Sequence, residues 1–209
     1  MIGRWRVAFA GLLVTAPPVR AQTAGRLGTQ LDPATRVTVQ AIADSARKAG
    51  LPSDALLNKA LEAAGRGADD ERIVASVRGL AAELGKARKA LGTSSRSAEI
   101  AAGADALHSG VGAGDLTRLR QAAGRRPLAT PLMVLTDFVE RGVPPQTATG
   151  LIISLAKAGV RDSAFSTFQR SVIQDIEHGA DPATAATTRA RGVTLHSPNP
   201  PPKPAPHPQ

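Results

Sequence analysis

The chain has no cysteine, no tyrosine and a single tryptophan among its 209 residues. Without cysteine there is no disulfide staple, no thiolate nucleophile and no lipidated cysteine, so stability has to come from packing alone. Aromatic residues make up only 2%. Trp5 and Phe9 fall in the N-terminal stretch, which leaves Phe138, Phe165 and Phe168, all on apolar helix faces. Single-stranded nucleic-acid binders stack bases on aromatic platforms worth about 1–3 kcal/mol each, and sugar-binding modules want the same flat surfaces, so both classes are disfavoured. After the N-terminal stretch no apolar run approaches the roughly 20 residues of a spanning helix. Catalytic signatures are missing too: there is no G-x-S-x-G, no H-E-x-x-H, no G-x-x-x-x-G-K-[ST] and no acidic calcium loop.

What is present begins with the pattern of an export signal. Arg4 and Arg6 give a positive start, and residues 7–16 (VAFAGLLVTA) form an apolar run too short to span a bilayer. Pro17 and Pro18 break that run, and Val19-Arg20-Ala21 offers a peptidase site. Cleavage after Ala21 is expected, making residues 1–21 a signal peptide and the product extracytoplasmic, periplasmic or secreted, with no stable membrane insertion. Net charge is +9, although Arg4, Arg6 and Arg20 would leave with the signal. A basic balance favours anionic partners, but the basic residues are scattered, and the pair Arg125-Arg126 is as long as their blocks become.

Apolar residues make up 42% and charged residues 21%, a globular composition in which alanine is prominent. Glycine then punctuates the chain: Gly50-Leu51, Gly67-Ala68, Gly110-Val111, Gly142-Val143, Gly159-Val160 and Gly179-Ala180 share one plan. A glycine ends a helix, the next apolar residue folds back, and Pro, Ser or Asp opens the following helix. Gly142-Val-Pro-Pro-Gln-Thr-Ala148 and Gly179-Ala-Asp-Pro-Ala-Thr-Ala185 agree at four of seven places, a weak repeat of one helix-turn-helix unit. Between the stops the apolar period is that of helices. Expected helices cover residues 33–49, 53–64, 70–91, 98–108, 115–123, 131–141 (capped by Thr130), 145–158, 162–178 (capped by Asp162) and 182–191. In the third, Ile73, Val77, Leu80, Leu84, Ala87 and Leu91 are spaced as a heptad seam. The seam serves either a partner helix within the fold or a homodimer through Ile73, Val77, Leu80, Leu84 and Leu91.

These signals predict an all-α protein of about eight or nine helices, arranged as stacked short helical hairpins in an irregular, repeat-like series. Residues 22–31 read as an N-terminal linker, 32–92 as an N-terminal helical unit, 93–97 as a linker and 98–196 as a C-terminal helical unit. Residues 197–209 hold seven prolines in thirteen positions, the composition of a disordered, polyproline-like tail.

Candidate chemistry is thin. None of His108, His178, His196 and His207 has a second His or Cys one helical turn away; Asp105 stands three residues before His108, at most half a metal site. His108 and His178 are read as cations suited to helix C-termini. Ser45-Ala-Arg-Lys48 and Ser154-Leu-Ala-Lys157 spell the S-x-x-K of penicillin-binding proteins, but both fall at helix ends and lack the partner motifs. Asp69-Asp70-Glu71 reads as a capping turn, and Asp137/Glu140 and Asp175/Glu177 as solvated helix faces. No catalytic, cofactor-binding or metal-ligating residue is assigned. The candidate binding residues are Arg118, Arg120, Arg125 and Arg126, which flank the least regular part of the chain.

The order Gly-[Leu/Val]-Pro, a leucine-bearing helix, then Gly67-Ala-Asp-Asp-Glu-Arg-Ile-Val74 and a heptad helix resembles a group of exported all-helical proteins of GC-rich bacteria. The resemblance covers about residues 40–195. It implies an exported helical protein and brings no assigned activity and no functional residues. The expected function is therefore an exported, non-enzymatic interaction or scaffolding module for a protein or peptide partner, without cofactor. The alternatives are a salt-sensitive binder of anionic envelope polymers or nucleic acid and, third, a cell-wall hydrolase.

Overall fold

A computed structural model describes residues 30–195, with side chains through residue 193. The expected signal peptide, almost all of the N-terminal linker, His196, His207 and the proline-rich tail lie outside the described residues. Nine helices follow one another within them: α1 (Pro33–Lys48), α2 (Ser53–Gly65), α3 (Asp70–Leu91), α4 (Ser97–His108), α5 (Ala113–Ala123), α6 (Ala129–Glu140), α7 (Pro145–Lys157), α8 (Asp162–Glu177) and α9 (Pro182–Leu195). The all-helical, hairpin-stacked reading is correct.

Local rules set most of the boundaries. Asp32 caps α1 by accepting from the Ala34 N–H at 3.0 Å and the Thr35 N–H at 2.9 Å, and Asp69 caps α3 through the Arg72 N–H at 2.9 Å. At the end of α6, Gly142 adopts a φ of +90°, a conformation that only a residue without Cβ holds cheaply. Its N–H donates to the Val139 carbonyl at 3.0 Å and the Val143 N–H to the Phe138 carbonyl at 2.9 Å, which folds Val143 into the core. The same paired bonds close α1, α2, α4, α7 and α8.

Tertiary order grows from α3. Helices α1 and α2 pack on each other and on α3, and α4 and α5 pack on α3 as well. From there each helix packs on the one two places further along: α3 on α5, α5 on α7, α7 on α9, and in a second row α4 on α6 and α6 on α8. The pairs α3–α4, α6–α7 and α8–α9 join the rows. Arg189 of α9 grips Asp175 of α8 with two bonds of 2.7 Å.

Two apolar clusters hold this stack. One joins Val39, Leu56, Ala60, Ile73, Val77 and Leu84 to Ile100 and Ala104 of α4. The other runs from Leu91, Ala102 and Ala106 through Phe138, Phe165 and Phe168 to Ala190, with the rings of Phe138 and Phe168 edge to face at 5.2 Å. Helix α4 feeds both clusters, so it is buried on most of its circumference and is built largely of Ala and Gly. A Cβ on Gly103 would lie 2.8 Å from Leu91 Cδ1 and 3.2 Å from Ala87 Cβ, which sets how closely α3 and α4 approach. Of the heptad seam, Ile73, Val77, Leu84, Ala87 and Leu91 are at most 3% exposed within the single chain. A dimer through the seam would have to use side chains that the chain's own core covers.

Some boundaries differ from expectation for tertiary reasons. Helix α6 starts at Ala129, takes Thr130 inside it and has no capping side chain of its own; Glu99 of α4 supplies the cap instead, accepting from the buried Leu128 N–H at 2.7 Å. Helix α5 starts two residues before Asp115. Asp162 is the first residue of α8 rather than its cap, because the Arg161 carbonyl already accepts from Ala164 and Phe165. The expected 93–97 linker is a short turn over residues 93–96, with Ser97 already in α4, and Ser95 is buried with its hydroxyl donating to the Leu91 carbonyl at 2.9 Å.

Candidate functional site

Helices α2 and α4 both lie against α3 but pack little on each other. Between them runs a groove of about 640 Å³ floored by α3, within the usual range for a binding cleft. Its walls repeat at helical spacing, which is why three helices can each offer one face. Ala55, Asn58, Lys59 and Glu62 come from α2, and Ser76, Gly79, Leu80 and Glu83 from α3. Helix α4 adds Ala101, Asp105 and His108. Ala55, Ser76, Gly79 and Ala101 are small, and their size opens the groove. A Cβ on Gly79 would meet nothing within 4 Å. Leu80 and the buried Leu84 give the floor an apolar character.

The rim is acidic. Glu62 is balanced by Lys59 at 3.3 Å and Arg66 at 2.6 Å. Glu83 Oε1 lies 3.2 Å from His108 Nδ1. Asp105 stands at the mouth, and no ion pair holds it among the described residues. Crowding by the surrounding protein raises its carboxyl above the usual aspartate value; Glu140 of α6 and Glu83 add to the rise, against the weaker pull of His108 and Lys59.

A second polar centre lies deeper. Glu99 is 5% exposed. Its Oε2 accepts from the Arg96 N–H at 2.9 Å, and its Oε1 from Arg120 Nη2 at 2.8 Å as well as from Leu128. Burial alone would raise this carboxyl, but the bonds from Arg96, Arg120 and Leu128 outweigh it and hold it below the ordinary glutamate value. Arg120 Nη1 donates to the carbonyls of Gly124 and Arg126 at 3.2 and 3.0 Å, and its Nε is buried without a partner among the described residues. This centre ties α4, α5 and the start of α6 together.

The four arginines expected to bind thus divide. Arg120 is held by Glu99, and Arg126 donates to the carbonyls of Ala122, Ala123 and, across the stack, Ala156 of α7. Arg118 pairs with Asp115 one turn away, and Arg125 is exposed. They form no single open cluster. Asp137 accepts from Arg141 at 2.9 Å and Gln169 at 3.0 Å. Ser154 donates to its own helix at Gly150. Among the described residues no three His, Cys, Asp or Glu side chains converge as metal ligands, and no helix is long and apolar enough to cross a membrane.

Sequence reasoning noticed Asp105 and His108 but not the groove. Their i, i+3 spacing was the available signal; Glu83, 25 positions before His108, joins them only through the packing of α3 on α4. The chain matches no protein-family model, no curated protein and no solved structure.

Proposed function

We propose that this chain is an exported, non-enzymatic interaction module whose α2–α3–α4 groove receives a short segment of a partner protein. The observation that carries this reading is the groove itself: a cleft with an apolar floor and a polar rim, built from faces of three rigid helices. The polyanion alternative draws less support, because Arg120 and Arg126 are engaged inside the fold. Site-specific photocrosslinking in the native envelope tests the reading, with the probe at Asn58 on the groove wall and, as control, at Met133, exposed on α6. A discrete protein adduct from Asn58, with none from Met133, is the expected result. Equal labelling at both positions would remove the groove from consideration, and capture of polyanions alone, lost as salt rises, would transfer the weight to electrostatic binding.

A further inference from the structure

The groove differs in sign from the chain that surrounds it. The protein carries a net +9, yet its groove is lined by Glu62, Glu83 and Asp105 against a single lysine, Lys59. Compensation there is slight. Lys59 is already bonded to Glu62, which Arg66 also holds, and His108 reaches Glu83 through one contact. Asp105 also sits in the last turn of α4, at the negative end of the helix dipole. Beside these carboxylates the lining turns apolar at Leu80, Leu84 and Ala101.

An ammonium or guanidinium on an aliphatic stem matches both halves of this surface. The charge meets unbalanced carboxylates, and the methylenes lie along the apolar wall. Gly79, with open space where its Cβ would be, lets a peptide backbone come close to α3. We propose that the groove docks a partner segment presenting a lysine or arginine, with the cation beside Asp105 and Glu83 and the segment's backbone passing over Gly79. This rests on the interaction-module reading and adds the chemistry of the occupant.

A random short-peptide phage library panned on the immobilised full chain tests it, with Gly79→Phe as the occluded variant and Gly79→Ala as the open control. Both replacements improve on glycine's helix propensity, so melting curves at or above wild type establish that the variants fold. The expected pool is rich in Lys or Arg, is selected by wild type and Gly79→Ala, and is lost on Gly79→Phe. For a selected peptide, Asp105→Asn should weaken binding about tenfold, as loss of a charge-assisted hydrogen bond does. A pool without basic enrichment, or one indifferent to Asp105→Asn but lost on Gly79→Phe, overturns the cationic occupant and leaves the groove standing. A pool retained in full by Gly79→Phe sinks the groove itself along with the proposal.

Discussion

Glu99 is where this fold should prove most brittle. In Glu99→Ala three acceptor contacts vanish: the Arg96 N–H, the buried Leu128 N–H and Arg120 Nη2 lose their partner together. Arg120 keeps its bonds to Gly124 and Arg126 but becomes a largely buried cation without a counter-charge, its side chain 19% exposed. Breaking a buried pair from one side costs about 3–5 kcal/mol, a large share of the roughly 5–15 kcal/mol that holds a domain together. Chemical denaturation at neutral pH, followed by circular dichroism, measures the loss directly. A double-mutant cycle with Arg120→Ala should return a coupling of at least about 1 kcal/mol. The pH dependence has a fixed sign. The folded-state carboxyl lies below its unfolded value, so its stabilisation is fully present above the unfolded value of about 4.3 and disappears as pH falls through the folded one. The gap between wild type and Glu99→Gln should therefore narrow on acidification. A Glu99→Ala loss under about 1 kcal/mol, in the range of ordinary surface changes, would refute the idea that this carboxylate joins three helices.

Two further outcomes probe the core. Gly103→Ala places a methyl against Leu91 Cδ1 and Ala87 Cβ, so overpacking should outweigh alanine's helix propensity and lower stability by about 1 kcal/mol; Gly85→Ala, whose Cβ meets nothing within 4 Å, should raise it by up to about 1 kcal/mol. Thermal melts of the matched pair decide, and a Gly103→Ala gain equal to that of Gly85→Ala would show that α3 and α4 are not so close. Leu84→Asp puts a carboxylate at a fully buried position and should abolish cooperative unfolding; light scattering showing a folded monomer in place of a wild-type dimer would instead put the seam between two chains.

The contrast between these sites explains what could be read from the chain. Gly142 and Val143, or the spacing of Ile73, Val77 and Leu84, obey rules that act within a turn or two of helix, and those rules hold whatever the rest of the fold does. Glu99 obeys such a rule only in part, reaching back one turn to the Arg96 N–H. It is an ordinary acid in a first turn until Arg120, 21 positions on, and Leu128, 29 positions on, arrive beside it. The start of α6 departs from local rules for the same reason: its cap comes from another helix, so Thr130 has no capping role to fill. The groove is harder still, because it is defined by a contact that does not form. Each of its three faces is an ordinary helical stripe, and only the divergence of α2 and α4 over α3 leaves those stripes uncovered.

Charge shows the same division and bears on function. A net +9 reads as a tendency towards anions if every arginine is counted alike. Arg120 and Arg126 instead direct their donors at backbone carbonyls and one buried carboxylate, so part of the basic surplus serves the ends of α5 and α7. The carboxylates of the groove are the opposite case, since Glu83 and Asp105 line it beside one lysine, Lys59, that already bonds Glu62. Within a Debye length of about 10 Å an approaching segment feels these local groups more than the sum over the chain. A basic protein can therefore carry a site for a basic partner, and local carboxylates would set the preference: raising salt should weaken a lysine-bearing peptide at the groove, whereas net-charge repulsion as the dominant effect would make salt strengthen it.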